Sequence, residues 1–289
     1  MLTERQHHWG VDQWAAFLTS QTIPCMPRTK FLLRALEETQ GDDLSAADLT
    51  ALVIGDPYLC LRLLRAAEQR RTHRLGHETT TPLGAVMQLG VTTFRNLLLG
   101  SPEADADNPG LAACEGRAVM ASQIAQMWGK ARADIAPEEV AMAALLAEIG
   151  ELLLWNFVPE LPQAALDALA GGHASRSAQA QEMACGFRFR ELSLKCAELW
   201  GLPQLLVQLI RGISNTRANL CKLYLDTARH LTAGPDNPAL PDDLAEAHRL
   251  IPHASLEWLA AHMIGLDAER QAGIIAAAQS LLSQADTAA

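Results

Sequence analysis

Histidine, cysteine and clustered arginine carry most of the reactive chemistry in this sequence, and their spacing decides what they can do. His73 and His77 stand four apart, a separation that on a helix can bring two imidazoles to one metal ion. Gly76 falls between them and Thr79, Thr80 and Thr81 follow, so a solvated loop is the preferred reading. His7 and His8 lie at the start of the sequence and His248, His253 and His262 near its end, none with a convincing set of partner ligands. Cys25, Cys60, Cys114, Cys185, Cys196 and Cys221 include no C-x-x-C pair and fall mostly within apolar helical patterns. Buried, reduced thiols suit that spread, because a zinc site or a disulfide framework needs clustered ligands.

Arg62, Arg65, Arg70, Arg71 and Arg74 form one basic cluster in an otherwise acidic chain. Such a patch can receive an acidic partner or a nucleotide phosphate. A solvated helix face whose arginine stems cover apolar surface is the simpler account. Phe187-Arg188-Phe189-Arg190 reads equally well as a base-stacking segment and as a short connector that anchors two aromatics in a core. There is no Gly-rich phosphate loop, no G-x-S-x-G elbow and no His-Glu-x-x-His. No residue is therefore assigned as catalytic, no metal-ligating set is assigned, and no cofactor is expected.

The elements that must position these residues are helices. Period-two runs of β-branched and aromatic residues are almost absent, while helix start and stop signals recur, so the expected fold is all-α with no sheet. Pro24 and Pro27 precede the apolar set Phe31, Leu33 and Leu36. Ser45 followed by Asp48 resembles a capping box ahead of Leu49, Leu52 and Val53. Asp56-Pro57 pairs a carboxylate able to cap free N–H groups with a proline suited to the first turn, and Thr81-Pro82 repeats the device. Gly90 after Leu89 predicts a helix end, and the Pro-, Asp-, Asn- and Gly-bearing stretch from Ser101 to Gly110 predicts a loop between two sub-bundles. Beyond it one helix is expected from about Leu111 to Trp128, and a second, strongly apolar one from Pro137 through Leu145 and Leu146 to Ile149. Another follows Pro203 with Leu205, Leu206, Leu209 and Ile210 on its apolar face. About three more come after Pro241, the last capped by Asp267 and burying Ile274, Ile275, Leu281 and Leu282.

The chain has 289 residues, enough for one large core or two modest ones without disulfides or a structural metal. Its apolar content of 49% argues against disorder, and no uninterrupted apolar run approaches the ~20 residues of a membrane span. MLTERQHHWG has no basic segment leading into an apolar stretch, so a cytoplasmic location is expected, with no membrane partner. A net charge of -10 makes nucleic acid an unfavourable partner for the molecule as a whole.

The stretch from Ile23 to Leu99 resembles the first half of the HDOD family, bacterial regulatory domains related to the HD-superfamily metal-dependent phosphohydrolases. Ile23-Pro24 with Pro27, Asp56-Pro57-Tyr58-Leu59, the run from Leu61 to Ala67, and Pro82 through Ala85-Val86 to Leu89-Gly90 carry the likeness by their order and spacing. Ala143-Ala144-Leu145-Leu146-Ala147-Glu148-Ile149-Gly150 stands where HD relatives have Leu-Leu-His-Asp-Ile-Gly, and Trp200-Gly201-Leu202-Pro203 resembles another family stretch. Glu68-Gln69 replaces the Asn-Ser that many members carry there.

The resemblance covers roughly residues 20–230. The expected organisation is an N-terminal helical extension at 1–19, a multi-helix HD-like bundle of the resembled type at 20–233 with its sub-bundles joined near 100–110, and, outside the resemblance, a C-terminal helical segment at 234–289 packed on it. An HD hydrolase holds its divalent ions with an adjacent His-Asp pair plus a distant His and Asp, and the ions activate water against a phosphate ester. At the matching positions this chain has Ala147-Glu148, Cys114-Glu115 and Asp226. Alanine cannot ligate, so these are degenerate positions, and Glu148 is expected as a partly buried acid paired with an arginine such as Arg117. The resemblance, with these ligands missing, thus implies a non-catalytic signalling or regulatory protein that serves as an interaction scaffold for another signalling protein, with a small molecule or nucleotide as a further candidate ligand. The competing expectations are a divergent metal-dependent phosphodiesterase and a nucleotide second-messenger receptor.

Overall fold

A computed structural model describes residues 2–70, 78–212 and 215–288. The helices are α1 (Val11–Ser20), α2 (Pro27–Gln40), α3 (Ala46–Ile54), α4 (Pro57–Arg70), α5 (Pro82–Leu89), α6 (Val91–Leu99) and α7 (Pro109–Gly129). They continue with α8 (Pro137–Leu146), α9 (Ile149–Phe157), α10 (Glu160–Ala170), α11 (Ser177–Cys185), α12 (Phe189–Leu199) and α13 (Gln204–Arg211). The last four are α14 (Thr216–Ala233), α15 (Leu240–Leu250), α16 (Leu256–Ala261) and α17 (Ala268–Ala288). The fold is all-α, as the sequence predicts. Among the described residues one isolated β-bridge joins Cys25 to Glu103, with Cys25 N–H donating to the Pro102 carbonyl and Ala104 N–H to the Cys25 carbonyl, both at 2.9 Å.

The sequence signals act as expected at most helix ends. Ser45 caps α3 reciprocally with Asp48, Thr81 accepts from the Gly84 N–H at the start of α5, and Gly90, at φ +78°, ends α5 and begins α6. A residue with a Cβ is strained in that left-handed region, and glycine there lets two helices follow without a connecting loop. Asp267 accepts from Arg270 N–H at 2.9 Å and caps α17.

Three expectations need correction. The helix opened by Pro137 does not run on to Ile149 but breaks at Ala147-Glu148 and restarts as α9, because Gly150 N–H turns to the Ser193 hydroxyl at 3.0 Å instead of extending one cylinder. Phe31 is 70% exposed and outside the core, since Leu33 takes the inward face of α2. On α17 Ile274 is buried, but Ile275, Leu281 and Leu282 are only partly covered, and Ala278 supplies the second inward contact.

The chain divides into two compact units. The first comprises residues 1–116 and 145–207. Its core gathers α3, α4, α5 and α6, with α9 and α12 packed on α1 and α10 on α11. Tyr58 is fully buried and its hydroxyl donates to the Leu152 carbonyl at 2.6 Å, tying α4 to α9. Lys195 pairs with Asp12 at 2.7 Å across α12 and α1. The second unit comprises residues 117–144 and 208–289. There Trp128 meets Tyr224 edge to face at 6.0 Å and donates its indole N–H to the Leu259 carbonyl at 3.0 Å, which joins α7, α14 and α16. The stretch Pro137–Phe157, which α8 and α9 share, is long and apolar enough by length and composition to cross a membrane, but 78% of its most apolar window is buried inside the protein.

Candidate functional site

Asp56, in the first unit, shows how the Asp-Pro signal becomes geometry. Its side chain is fully buried. One carboxylate oxygen accepts from the N–H groups of Tyr58 and Leu59 at 2.9 and 3.0 Å, capping α4. The other accepts from Met26 N–H and the Thr29 hydroxyl, both at 2.8 Å, which pins the start of α2 to the start of α4. Burial pushes this carboxyl upward in pKa, while the Leu59 and Met26 N–H groups, the Thr29 hydroxyl and the Arg28 charge pull it back. Arg28 donates to the Gly55 carbonyl at 2.6 Å and clasps the buried Glu115 carboxylate with two nitrogens, so α2, α4 and α7 meet at one polar corner.

One step away lies the corner to which the sequence resemblance assigns the HD ligand positions. Ala147 is buried and apolar. Glu148 occupies the turn before α9, at φ -98° and ψ 15°. Cys114, from α7, brings its sulfur to 4.0 Å from Glu148 Oε2. Glu151 completes the group, with donor atoms of Cys114, Glu148 and Glu151 all within 4.8 Å of one another. The sequence reading missed Glu151, whose signal is its position three residues after Glu148, one helical turn further along the same face. Asp226 lies in the second unit, on α14, where it accepts from Arg229 at 2.8 Å.

This donor set does not fit the ions of an HD hydrolase. One thiol and two carboxylates contain no imidazole, and Ala147, which the resemblance places at the paired histidine, offers no ligand atom. No chemical step is therefore derived through a metal at this corner. Three histidines are engaged elsewhere: His230 Nδ1 is 2.6 Å from Asp243 Oδ2, His248 Nδ1 is 2.9 Å from the Ala254 carbonyl, and His262 Nδ1 is 2.7 Å from the Trp258 carbonyl. His73 and His77 lie outside the described residues. None of the six cysteines is in a disulfide, and five of them are buried.

The arginine cluster divides into different tasks. Arg62 donates to the Ile23 carbonyl at 2.5 Å, and Arg65 stands over the Trp200 ring at 5.1 Å from its centre. Arg70 reaches the Leu89 carbonyl at 3.2 Å, while Arg71 and Arg74 lie outside the described residues. In Phe187-Arg188-Phe189-Arg190 both rings are buried and Arg188 pairs with Glu182 at 2.6 Å, which favours the connector over the base-stacking segment.

A helical bundle of this architecture, with Asp56 capping α4, is of the HD-like class of folds. The HDOD domain model matches residues 23–216, two thirds of the chain, and the chain belongs to that family. Among solved structures it resembles the MmoQ response regulator from Methylococcus capsulatus str. Bath, at 21% identity and a TM-score of 0.64, over 89% of this chain and 99% of that one. It also resembles a virulence factor from Campylobacter jejuni subsp. jejuni, at 15% identity and a TM-score of 0.69, over 92% of this chain and 99% of that one. At such identities the likeness is one of fold. No curated protein matches the chain.

Proposed function

We propose that this protein is a non-catalytic signalling or regulatory protein in which the HDOD-type bundle serves as a scaffold for another signalling protein. The observation that carries the reading is the corner at Ala147-Glu148. The backbone turn is built, Gly150 fits it, and the surrounding polar bonds are made, yet the side chains are an alanine, a thiol and two carboxylates. A corner without imidazole does not offer the ligand set by which an HD hydrolase holds its ions, which supports a role other than HD-type hydrolysis. The description of one fold relative as a response regulator is in keeping with a signalling role.

The rival reading is a divergent phosphodiesterase, for which the closeness of Cys114, Glu148 and Glu151 is the favourable observation. Hydrolysis of bis(p-nitrophenyl) phosphate, measured with added manganese or iron, separates the two. The scaffold reading expects no turnover above the metal-only blank. Turnover that disappears in Glu148→Ala would overturn it.

A further inference from the structure

On the first unit, Arg62 and Arg65 stand three apart on one face of α4, both half-buried. Among the described residues neither has a carboxylate within ion-pair distance, whereas the more exposed Arg28 on α2 has Glu115. This contrast arises in a chain with 33 acidic and 23 basic residues, where a counter-charge is easily found. Arg65 makes no hydrogen bond to a described residue; its guanidinium lies over the Trp200 ring and engages it by charge, which leaves its N–H donors unspent. Beside it, the Trp200 indole N–H and Arg62 Nε are buried without an acceptor. Arg62 spends its other nitrogens on the Ile23 carbonyl at 2.5 Å and the Leu97 carbonyl at 3.5 Å, which fixes the guanidinium in place.

Buried donors are normally paired, and two close cations without a counter-ion repel. Burial lowers the pKa of both guanidiniums, and Arg62 lowers that of Arg65 further, while Glu115 raises that of Arg28. The arrangement calls for an anion with more than one charge and several acceptor oxygens. A phosphate group supplies both, and a single carboxylate supplies half the charge. A polyanion such as a nucleic acid is disfavoured by the net charge of -10.

We propose that Arg65, Arg62 and Trp200 form a binding site for the phosphate group of a small phosphorylated molecule. The site is independent of the HD-type corner and of whether the bundle is catalytic. Arg65 is its movable donor, Arg62 its fixed positive charge, and Trp200 the platform that holds Arg65.

The test is calorimetric titration of the full chain with sodium pyrophosphate at low salt, with succinate titrated in parallel. The expected result is saturable one-to-one binding of pyrophosphate with a dissociation constant below ~1 mM, and weaker binding of succinate. Arg65→Gln should weaken it at least about tenfold. Arg188→Gln, at an exposed arginine of the same unit paired with Glu182, should leave it unchanged. Circular dichroism and the thermal midpoint check that both variants fold, and Arg65→Lys, which keeps the charge, should retain part of the affinity. Absent saturable binding, equal affinity in folded Arg65→Gln, equal loss in Arg188→Gln, or tighter succinate would each overturn the assignment.

Discussion

A carboxylate removed from solvent is tolerable only when its oxygens are used, and Asp56 uses both, on four donors from two helix starts. Asp56→Asn turns one oxygen into a donor facing donors. It should cost roughly 2 kcal/mol, and Asp56→Ala, which leaves all four donors without the acceptor, roughly 3 kcal/mol or more, read from urea denaturation. A change under about 0.5 kcal/mol would show that the cap is dispensable. The thiols give a pH-dependent prediction. Burial pushes Cys25 and Cys185 up to about 11 and Cys196 up to about 12. Unfolded thiols ionise near ~8.5, so these groups contribute stability that is full below that pH and lost as pH rises toward about 11. At pH 8, iodoacetamide should modify part-buried Cys185 about two orders of magnitude more slowly in the native protein than in urea. Fast native labelling would contradict this environment. The cap at Asp56 is legible because carboxylate, proline and apolar run are adjacent in sequence. The clasp of Arg28 on Glu115 is not, because its partners lie 87 residues apart.

At the scale of elements, α9 is seated on α12 by the absence of a side chain. A Cβ on Gly150 would stand 2.7 Å from Ser193 N and 2.8 Å from the Phe189 carbonyl oxygen, both backbone atoms. Gly150→Ala should therefore destabilise the protein by about 1–3 kcal/mol through separation of the two helices. A thermal midpoint equal to that of the parent would show that the helices yield more easily than their backbone contact implies. Ser193→Ala removes the hydroxyl that accepts from Gly150 N–H and should be milder, about 1 kcal/mol. Helix ends were readable wherever a cap, proline or glycine marks them, as at Ser45, Thr81, Gly90 and Asp267. The break at Ala147-Glu148 carries no such mark. It is imposed by Ser193, 43 positions from Gly150, and the apolar pattern continues across it. Phe31 and the end of α17 show the same limit, since a helical period tells which residues share a face but not how much of that face a neighbour covers.

At the scale of the whole molecule, the all-α class and the family order were legible from the Asp-Pro start, the Leu-Leu-Ala-Glu-Ile-Gly segment and Trp-Gly-Leu-Pro. The grouping of residues 117–144 with 208–289 was not, because helix periodicity carries no information about which distant helices meet. The convergence of Glu151 with Cys114 and Glu148 was hidden for the same reason. The proposed scaffold role requires that the HD-type corner holds no catalytic metal. Elemental mass spectrometry tests it most directly, on protein purified without chelator, equilibrated with manganese, iron and zinc, and freed of excess ion. The scaffold reading predicts no stoichiometric metal in the parent chain or in Glu148→Ala. One or two ions held per chain and lost in Glu148→Ala would contradict it.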